Sequence, residues 1–209
     1  NAPVLSSAPG SPERAGLQAA IAELGSVVTD IPVVINGVEY RPGKTNRVSS
    51  PQRHAHHLAN VHQSTPELLQ QAIDGAVAAQ HSWERWSFAD RAAVFLRAAD
   101  LLAGPWRHRI NAATLLGQGK TPHQAEIDAA CELADFWRFN VHYAEQLLHE
   151  QPISVPGVWN RLDWRPLEGF IYAITPFNFT AIGGNLPTAP AILGNVVLWK
   201  PSATASLSN

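Results

Sequence analysis

An asparagine and a lysine stand directly after two apolar segments near the end of the chain. Asn178 follows the run from 169 to 175, and Lys200 follows the run VVLW. The carboxamide N–H of an asparagine can donate to the oxyanion that forms when a nucleophile attacks a carbonyl carbon. A lysine that leaves a buried strand could point at a ribose or a phosphate. The alternatives are that Asn178 caps the next helix and that Lys200 is a solvated strand end.

Other side chains with possible chemistry have weaker sequence support. Phe177 and Phe179 flank the asparagine and could wall an aldehyde channel or pack in the core. Cys131 lies among alanine and leucine with no histidine nearby, which predicts a buried structural thiol. Glu126 is either a substrate-side carboxylate or one charge on a solvated helix face. The histidines of the run HAHH, which are His54, His56 and His57, are interpreted as a solvated loop, since no cysteine or carboxylate adjoins them to make a zinc site.

The elements around the asparagine and the lysine predict a βαβ unit. A strand over 169–175, a helix over 179–193 and a strand over 195–200 fit one parallel pair with its crossover helix. Ligands of open parallel sheets bind beyond the carboxyl ends of the strands, where both residues fall. The turn carries no GxGxxG, because Gly183-Gly184 lies inside the predicted helix.

The upstream chain predicts a mixture of helices and short strands. The Ser11-Pro12-Glu13 sequence favours a helix start, and Asn36-Gly37 favours a type I′ hairpin turn. Residues 160–165 alternate polar and apolar, like a half-exposed strand that could pair with another subunit. The remaining predictions are an extended pair over 46–62 and helices over 65–86, 88–102, 106–116 and from 121, the last with Ala125, Ala129, Leu133, Phe136, Tyr143 and Leu147 on one side.

Composition limits the class of protein. The chain has 209 residues, 45% hydrophobic and 15% charged, with a net charge of −2, which argues against a nucleic-acid or anionic-membrane partner. No apolar run approaches the roughly 20 residues of a membrane span. The chain has no methionine, and two predicted parallel strands cannot bury both their faces. We therefore expect an N-terminal piece of a longer protein.

The segment TPFNFTAIGGNLPTAPAILGNVVLWKPS, residues 175–202, resembles the aldehyde dehydrogenase superfamily around its oxyanion asparagine and its cofactor-binding Lys-Pro-Ser. Further segments narrow the resemblance to the Δ1-pyrroline-5-carboxylate dehydrogenases, which oxidise glutamate γ-semialdehyde with NAD during proline breakdown. These segments are GSPER at 10–14, DRAAVFLRAADLLAGP at 90–105, GQGKT at 117–121, QAEIDAACELADFWRFN at 124–140 and QPISVP at 151–156.

The resemblance implies a role for each matching residue. Asn178 would be the oxyanion donor, Phe179 would pack on the aliphatic part of the semialdehyde, and Glu126 would face the aldehyde site. Lys200 would bond the adenosine ribose of NAD, with Ser202 nearby. Ile174, Thr175, Pro176 and Phe177 would line the nicotinamide half of the cofactor cleft.

Two departures from the family pattern affect these expectations. Many relatives carry a carboxylate where this chain has Ala203, which weakens the expected preference for NAD over NADP. The family's nucleophilic cysteine, its glycine-rich helix start and its glutamate base match no segment here, and Cys131 does not match the nucleophile. We therefore expect the 209-residue chain alone to be inactive.

The sequence predicts an α/β fold, the N-terminal part of a Rossmann-type NAD-binding domain. Its expected divisions are an arm, hairpin and helices over 1–150, an oligomerisation ribbon over 151–168, centred on 157–167, and the βαβ unit over 169–209. The expected partners are an aldehyde and further copies of the chain, in a bacterial cytoplasm or a mitochondrial matrix, with the cytoplasm favoured. The rival interpretations are a superfamily enzyme with another aldehyde substrate and a non-catalytic fragment that binds a partner through the ribbon.

Overall fold

A computed structural model describes residues 1–209. The chain forms helices and short strands that fall into three small sheets. Its elements are α1 (Pro12–Gly25), β1 (Thr29–Ile31), β2 (Val33–Ile35), β3 (Val38–Tyr40), β4 (Thr45–Ser50), β5 (Arg53–His62), α2 (Pro66–Trp83), α3 (Phe88–Ala103), α4 (Arg107–Gln118), α5 (Pro122–Ala125), a π-helical segment (Glu126–Glu132), α6 (Leu133–His149), β6 (Ile171–Ile174), α7 (Thr180–Ile192), β7 (Val197–Lys200) and a 3₁₀ turn (Ala203–Ala205).

Side-chain caps start the predicted helices where the sequence places them. The hydroxyls of Ser11, Thr65 and Ser87 accept hydrogen bonds from backbone N–H groups of the first turns of α1, α2 and α3. Each bond satisfies one of the N–H groups that a helix start leaves without a partner. The prediction for α2 is too long, since that helix ends at Trp83.

The two hairpins form as predicted. Strands β2 and β3 pair antiparallel, with Asn36 at φ 50° and Gly37 at φ 78°, the two positive values of a type I′ turn. Strands β4 and β5 are also antiparallel, and β1 adds to β5 in parallel. The loop prediction for the HAHH run is wrong, because these histidines lie in β5. One of them, His56, has its Nε2 2.8 Å from the carbonyl oxygen of Gly25.

The helices pack into two main apolar clusters. One cluster joins α3, α6 and α7 through Ala99, Leu102, Leu133 and Ala181. The other joins α1, α4 and β5, and it includes Leu17, Leu24, Leu58, Ala112 and Leu116. Helix α7 approaches α6 closely at Gly184, because glycine has no side chain. A Cβ at this position would come within 2.7 Å of a Leu133 methyl group. This glycine therefore serves helix packing inside α7.

The long helix after Thr121 is not a continuous α-helix. Residues Glu126–Glu132 form a π-helical segment between α5 and α6. Short π-helical stretches are often found at functional sites. The segment lies next to α7 and buries Glu126 and Asp128. The predicted apolar side is correct for Ala125, Ala129 and Leu133, which are buried, but wrong for Tyr143, which is 59% exposed.

The last part of the chain forms the predicted βαβ unit. Strands β6 and β7 are parallel, with Ile171 opposite Val197 and Ile174 opposite Lys200, and α7 connects them. Residues 160–165 form no strand within this chain, and their predicted pairing with another subunit stays a prediction. The ribbon over 151–168 holds one isolated bridge, between Val155 and Val158.

Candidate active site at the carboxyl ends of β6 and β7

Asn178 and Lys200 come to the same edge of the parallel pair. Ile174 is the ladder partner of Lys200, and the N–H of Thr175 donates to the carbonyl of Lys200 at 3.3 Å. The side chains of both Asn178 and Lys200 are exposed. Neither takes part in a hydrogen bond or an ion pair within the chain, so both are free to bind a ligand at this edge.

The capping alternative for Asn178 is wrong, because a residue from another element caps α7. The N-cap position belongs to Phe179, and no side chain of the turn itself makes a cap bond. The carboxylate of Asp128 instead accepts from the N–H of Thr180 at 3.0 Å and from the N–H of Ala181 at 2.9 Å. The amide of Asn178 is therefore not used in capping.

A lysine and two polar side chains complete the surroundings of this turn. Lys120 Nζ lies 2.6 Å from Asp128 Oδ2 and 4.2 Å from the centroid of the Phe179 ring. The hydroxyl of Thr180 lies 2.8 Å from the hydroxyl of Thr114 and accepts from Gln118 Nε2 at 2.8 Å. Helix α4, the loop after it and the π-helical segment thus hold the first turn of α7.

The residues predicted to line the cofactor cleft divide into exposed and enclosed groups. Ile174 and Phe177 are 58% and 66% exposed, so their apolar side chains are open to a ligand. The side chain of Thr175 is buried, and its hydroxyl accepts from Trp199 Nε1 at 3.1 Å. Pro176 is half-buried. Ile174 and Phe177 therefore offer the most open side-chain surface in this group.

The segment after β7 is a turn with small side chains. Ser202 is half-buried, and its hydroxyl lies 3.3 Å from that of Thr204. Ala203, which stands where many relatives carry a carboxylate, is exposed.

The alternative that Phe177 and Phe179 pack in the core is wrong, since Phe179 is 38% exposed and Phe177 is 66% exposed.

Glu126 lies in a buried network with residues of other elements. Its carboxylate forms an ion pair with Arg107 and accepts from the N–H of Leu5 at 2.8 Å and from Asn111 Nδ2 at 2.7 Å. Burial alone would raise the pKa of Glu126, but these hydrogen bonds and the Arg107 charge outweigh it and lower the pKa. These partners within the chain hold the Glu126 carboxylate, and its contact with the substrate stays a prediction.

Sequence reasoning missed the charged residues that adjoin the Asn178 turn. Asp128 and Lys120 contact it directly, as described above. Glu132 is half-buried one helical turn after Asp128, and burial together with the Asp128 charge raises its pKa, against the effect of Lys120. The sequence does show that Asp128 and Glu132 are four residues apart, a spacing that places two side chains on the same face of a helix. Nothing in the sequence indicated that Asp128 contacts a turn some fifty residues later.

The single cysteine is buried, as predicted. Its Sγ lies 3.3 Å from Arg107 Nη2 and 3.5 Å from the carbonyl oxygen of Pro3. Burial, with a smaller contribution from the Glu126 charge, raises the pKa of Cys131 to about 11. The thiolate is the nucleophilic form of cysteine, so this thiol is poorly suited to attack an aldehyde at neutral pH.

Comparison with known protein families matches residues 39–209 to the Aldehyde dehydrogenase family. The chain belongs to this family. A Δ1-pyrroline-5-carboxylate dehydrogenase from Agaricus bisporus is 56% identical over 100% of the chain and 39% of the relative. A mitochondrial Δ1-pyrroline-5-carboxylate dehydrogenase from Mus musculus is 52% identical over 100% of the chain and 37% of the relative.

Solved structures agree with the family assignment. The crystal structure of the Δ-pyrroline-5-carboxylate dehydrogenase from Mycobacterium tuberculosis matches with a TM-score of 0.98 and 56% identity, over 100% of this chain and 38% of that one. The same enzyme bound with NAD matches with a TM-score of 0.97. The chain therefore spans well under half the length of these relatives. The predicted α/β fold is confirmed as the N-terminal part of the aldehyde dehydrogenase fold, and none of its helices is long and apolar enough to span a bilayer.

Proposed function

We propose that the complete gene product carrying this chain oxidises L-glutamate γ-semialdehyde to L-glutamate with NAD as the hydride acceptor. One observation carries the proposal: the Asn178 amide lies exposed and unpaired at the carboxyl end of β6. It does so in a chain 56% identical, over its whole length, to a Δ1-pyrroline-5-carboxylate dehydrogenase. Such an amide suits the stabilisation of negative charge on an aldehyde oxygen.

The residues at this edge fit a dinucleotide. Lys200 is exposed and is the ladder partner of Ile174, which is 58% exposed, so a charged donor and an apolar surface stand side by side. Lys200 would donate to ribose hydroxyls, while Ile174 and Phe177 would offer apolar contact to the nicotinamide half. Ser202, two residues after Lys200, would lie near the adenosine ribose of NAD. NAD would supply the hydride acceptor for oxidation of the aldehyde carbon.

The chemical contribution of this chain is charge stabilisation and substrate contact. As a thiolate attacks the aldehyde carbon, the carbonyl oxygen gains negative charge, and the Asn178 N–H would donate to it. Phe179 lies next to Asn178 with its ring partly exposed. That ring would pack on the methylene groups of the semialdehyde. Cys131, which is buried with a raised pKa, is given no part in the attack.

A panel of aldehydes separates this proposal from another aldehyde dehydrogenase activity. The complete gene product would be assayed for NADH and NADPH formation with L-glutamate γ-semialdehyde, succinate semialdehyde and short aliphatic aldehydes. We expect the highest kcat/KM with L-glutamate γ-semialdehyde and NAD, and no turnover by the 209-residue chain alone. Equal or better kcat/KM with another aldehyde would contradict the proposed substrate, and turnover by the short chain would contradict its inactivity.

We also propose that the ribbon over 151–168 mediates assembly into a homo-oligomer, a dimer or higher. Its apolar side chains are unusually exposed for a monomer, with Ile153 at 85% and Trp159 at 78%. Replacing Ile153 and Trp159 by serine should shift the complete gene product towards monomer in light scattering. The same replacements at Val4 and Trp106, exposed apolar residues outside the ribbon, serve as the control. An unchanged mass for the ribbon variant would contradict this role.

A further inference from the structure

The cap of α7 comes from a residue some fifty positions earlier in the chain. Both carboxylate oxygens of Asp128 accept backbone hydrogen bonds from the first turn of α7, at 3.0 and 2.9 Å. The residue is 3% exposed. A helix start leaves its first N–H groups without partners inside the helix, and a cap normally comes from the residue just before it. Here Asp128 replaces the missing local cap.

Lys120 joins this cap to the aromatic ring beside the asparagine. Its ammonium group pairs with Asp128 at 2.6 Å and lies 4.2 Å from the centre of the Phe179 ring. A cation over an aromatic face is stabilised by the ring's electrons, and a partner charge offsets the cost of burying the Asp128 carboxylate. The loop before α5 thus contacts the turn in two ways. Lys120 interacts directly with the Phe179 ring, and it pairs with Asp128, which in turn bonds the backbone of the turn.

We propose that Asp128 and Lys120 are positioning residues for Asn178. The inference rests on the proposed function of Asn178 as the oxyanion donor. The side chain of Asn178 makes no hydrogen bond within the chain, so its position depends on how the neighbouring backbone is held. Phe179, the next residue, lies under the ammonium of Lys120, and Thr180, the one after, is bonded to Asp128.

The cap also determines which donor serves the oxyanion. The positive end of a helix and its free N–H groups ordinarily attract anions. In α7 the N–H groups of Thr180 and Ala181 already donate to the Asp128 carboxylate, whose negative charge neutralises the positive end of the helix dipole. An oxyanion beside this turn therefore depends on the side-chain amide of Asn178.

A double-mutant cycle on the complete gene product tests the inference. Asp128→Asn removes the charge and leaves one oxygen for two N–H groups, so we expect kcat to fall about tenfold to a hundredfold, with KM for NAD unchanged. In an Asn178→Ala background the same change should cost less than about threefold, because the amide to be positioned is already gone. Asp135→Asn is the matched control. That aspartate, on the adjacent α6, accepts from the N–H of Ala2 at 2.6 Å and should leave kcat unchanged.

A second variant keeps the test decisive if Asp128→Asn fails to fold. Lys120→Met should lower kcat in the same non-additive way, and Lys120→Arg should restore most of it. Losses that multiply with that of Asn178→Ala, or an unchanged kcat in a folded Asp128 or Lys120 variant, would overturn the inference while leaving the proposed function intact. An Asn178→Ala enzyme with normal kcat would overturn both.

Discussion

Asn178→Ala is expected to lower kcat for aldehyde oxidation about 100- to 1,000-fold, the usual cost of removing one oxyanion donor. The side chain is exposed and has no partner within the chain, so its loss should leave folding almost unaffected. Binding of NAD should be retained, because the proposed ribose contact comes from Lys200. Steady-state kinetics, with a separate titration of NAD, measure the two effects.

The control for this substitution is Asn46→Ala. Asn46 is exposed on β4, in a different sheet, and its side chain pairs with that of Gln63. We expect normal kcat from this control. A normal kcat in the Asn178 variant as well would mean that the amide does not stabilise the transition state.

Glu126→Ala is expected to lower the free energy of unfolding by about 3–5 kcal/mol, because it leaves the buried Arg107 charge without its partner. The same substitution also removes the acceptor of Asn111 Nδ2 and of the Leu5 N–H. Urea unfolding followed by circular dichroism measures the change. Glu23→Ala is the control, since the ion pair of Glu23 with Arg109 is at 3.0 Å but half or more exposed on both sides. An exposed pair contributes about 0–1 kcal/mol, so Glu23→Ala should change the free energy of unfolding by no more than that. An equally small effect of Glu126→Ala would contradict the buried network.

The contribution of Glu126 should also depend on pH. Its folded-state pKa lies below the ordinary value of 4.5, so the folded protein holds the carboxylate ionised more strongly than the unfolded chain does. The stabilisation is therefore complete above about pH 4.5 and is lost as the pH falls through the lower folded-state pKa. The difference in unfolding free energy between the parent and Glu126→Ala should shrink over that range. A difference that grows on acidification would contradict the sign of the shift.

The elements set by local chemistry were predictable from sequence. Ser11 and Thr65 mark helix starts through hydroxyl caps, and Asn36-Gly37 marks a hairpin through its positive φ angles. The edge that holds Asn178 and Lys200 was predictable too, because a βαβ unit places the ends of parallel strands together. The division of the chain at 150 and 168 stays a prediction.

What escaped prediction depends on contacts between distant segments. The cap that Asp128 supplies to Thr180 joins residues 52 apart, and no local pattern encodes it. The same holds for Glu126, whose partners Arg107 and Leu5 come from other parts of the chain. The residues around Glu126 in the sequence therefore do not show whether its carboxylate is structural or contacts the substrate. The π-helical segment that buries both acids has no sequence signal comparable with a cap or a turn.

A crystal structure of the complete gene product with NAD and L-glutamate would test the central claim most directly, since one oxygen of the product's γ-carboxylate is the former aldehyde oxygen. The account predicts Asn178 Nδ2 within about 2.7–3.1 Å of a γ-carboxylate oxygen and Lys200 Nζ within about 3.2 Å of a ribose hydroxyl. Asn178 turned away from the product, or NAD bound without contact to Lys200, would contradict it.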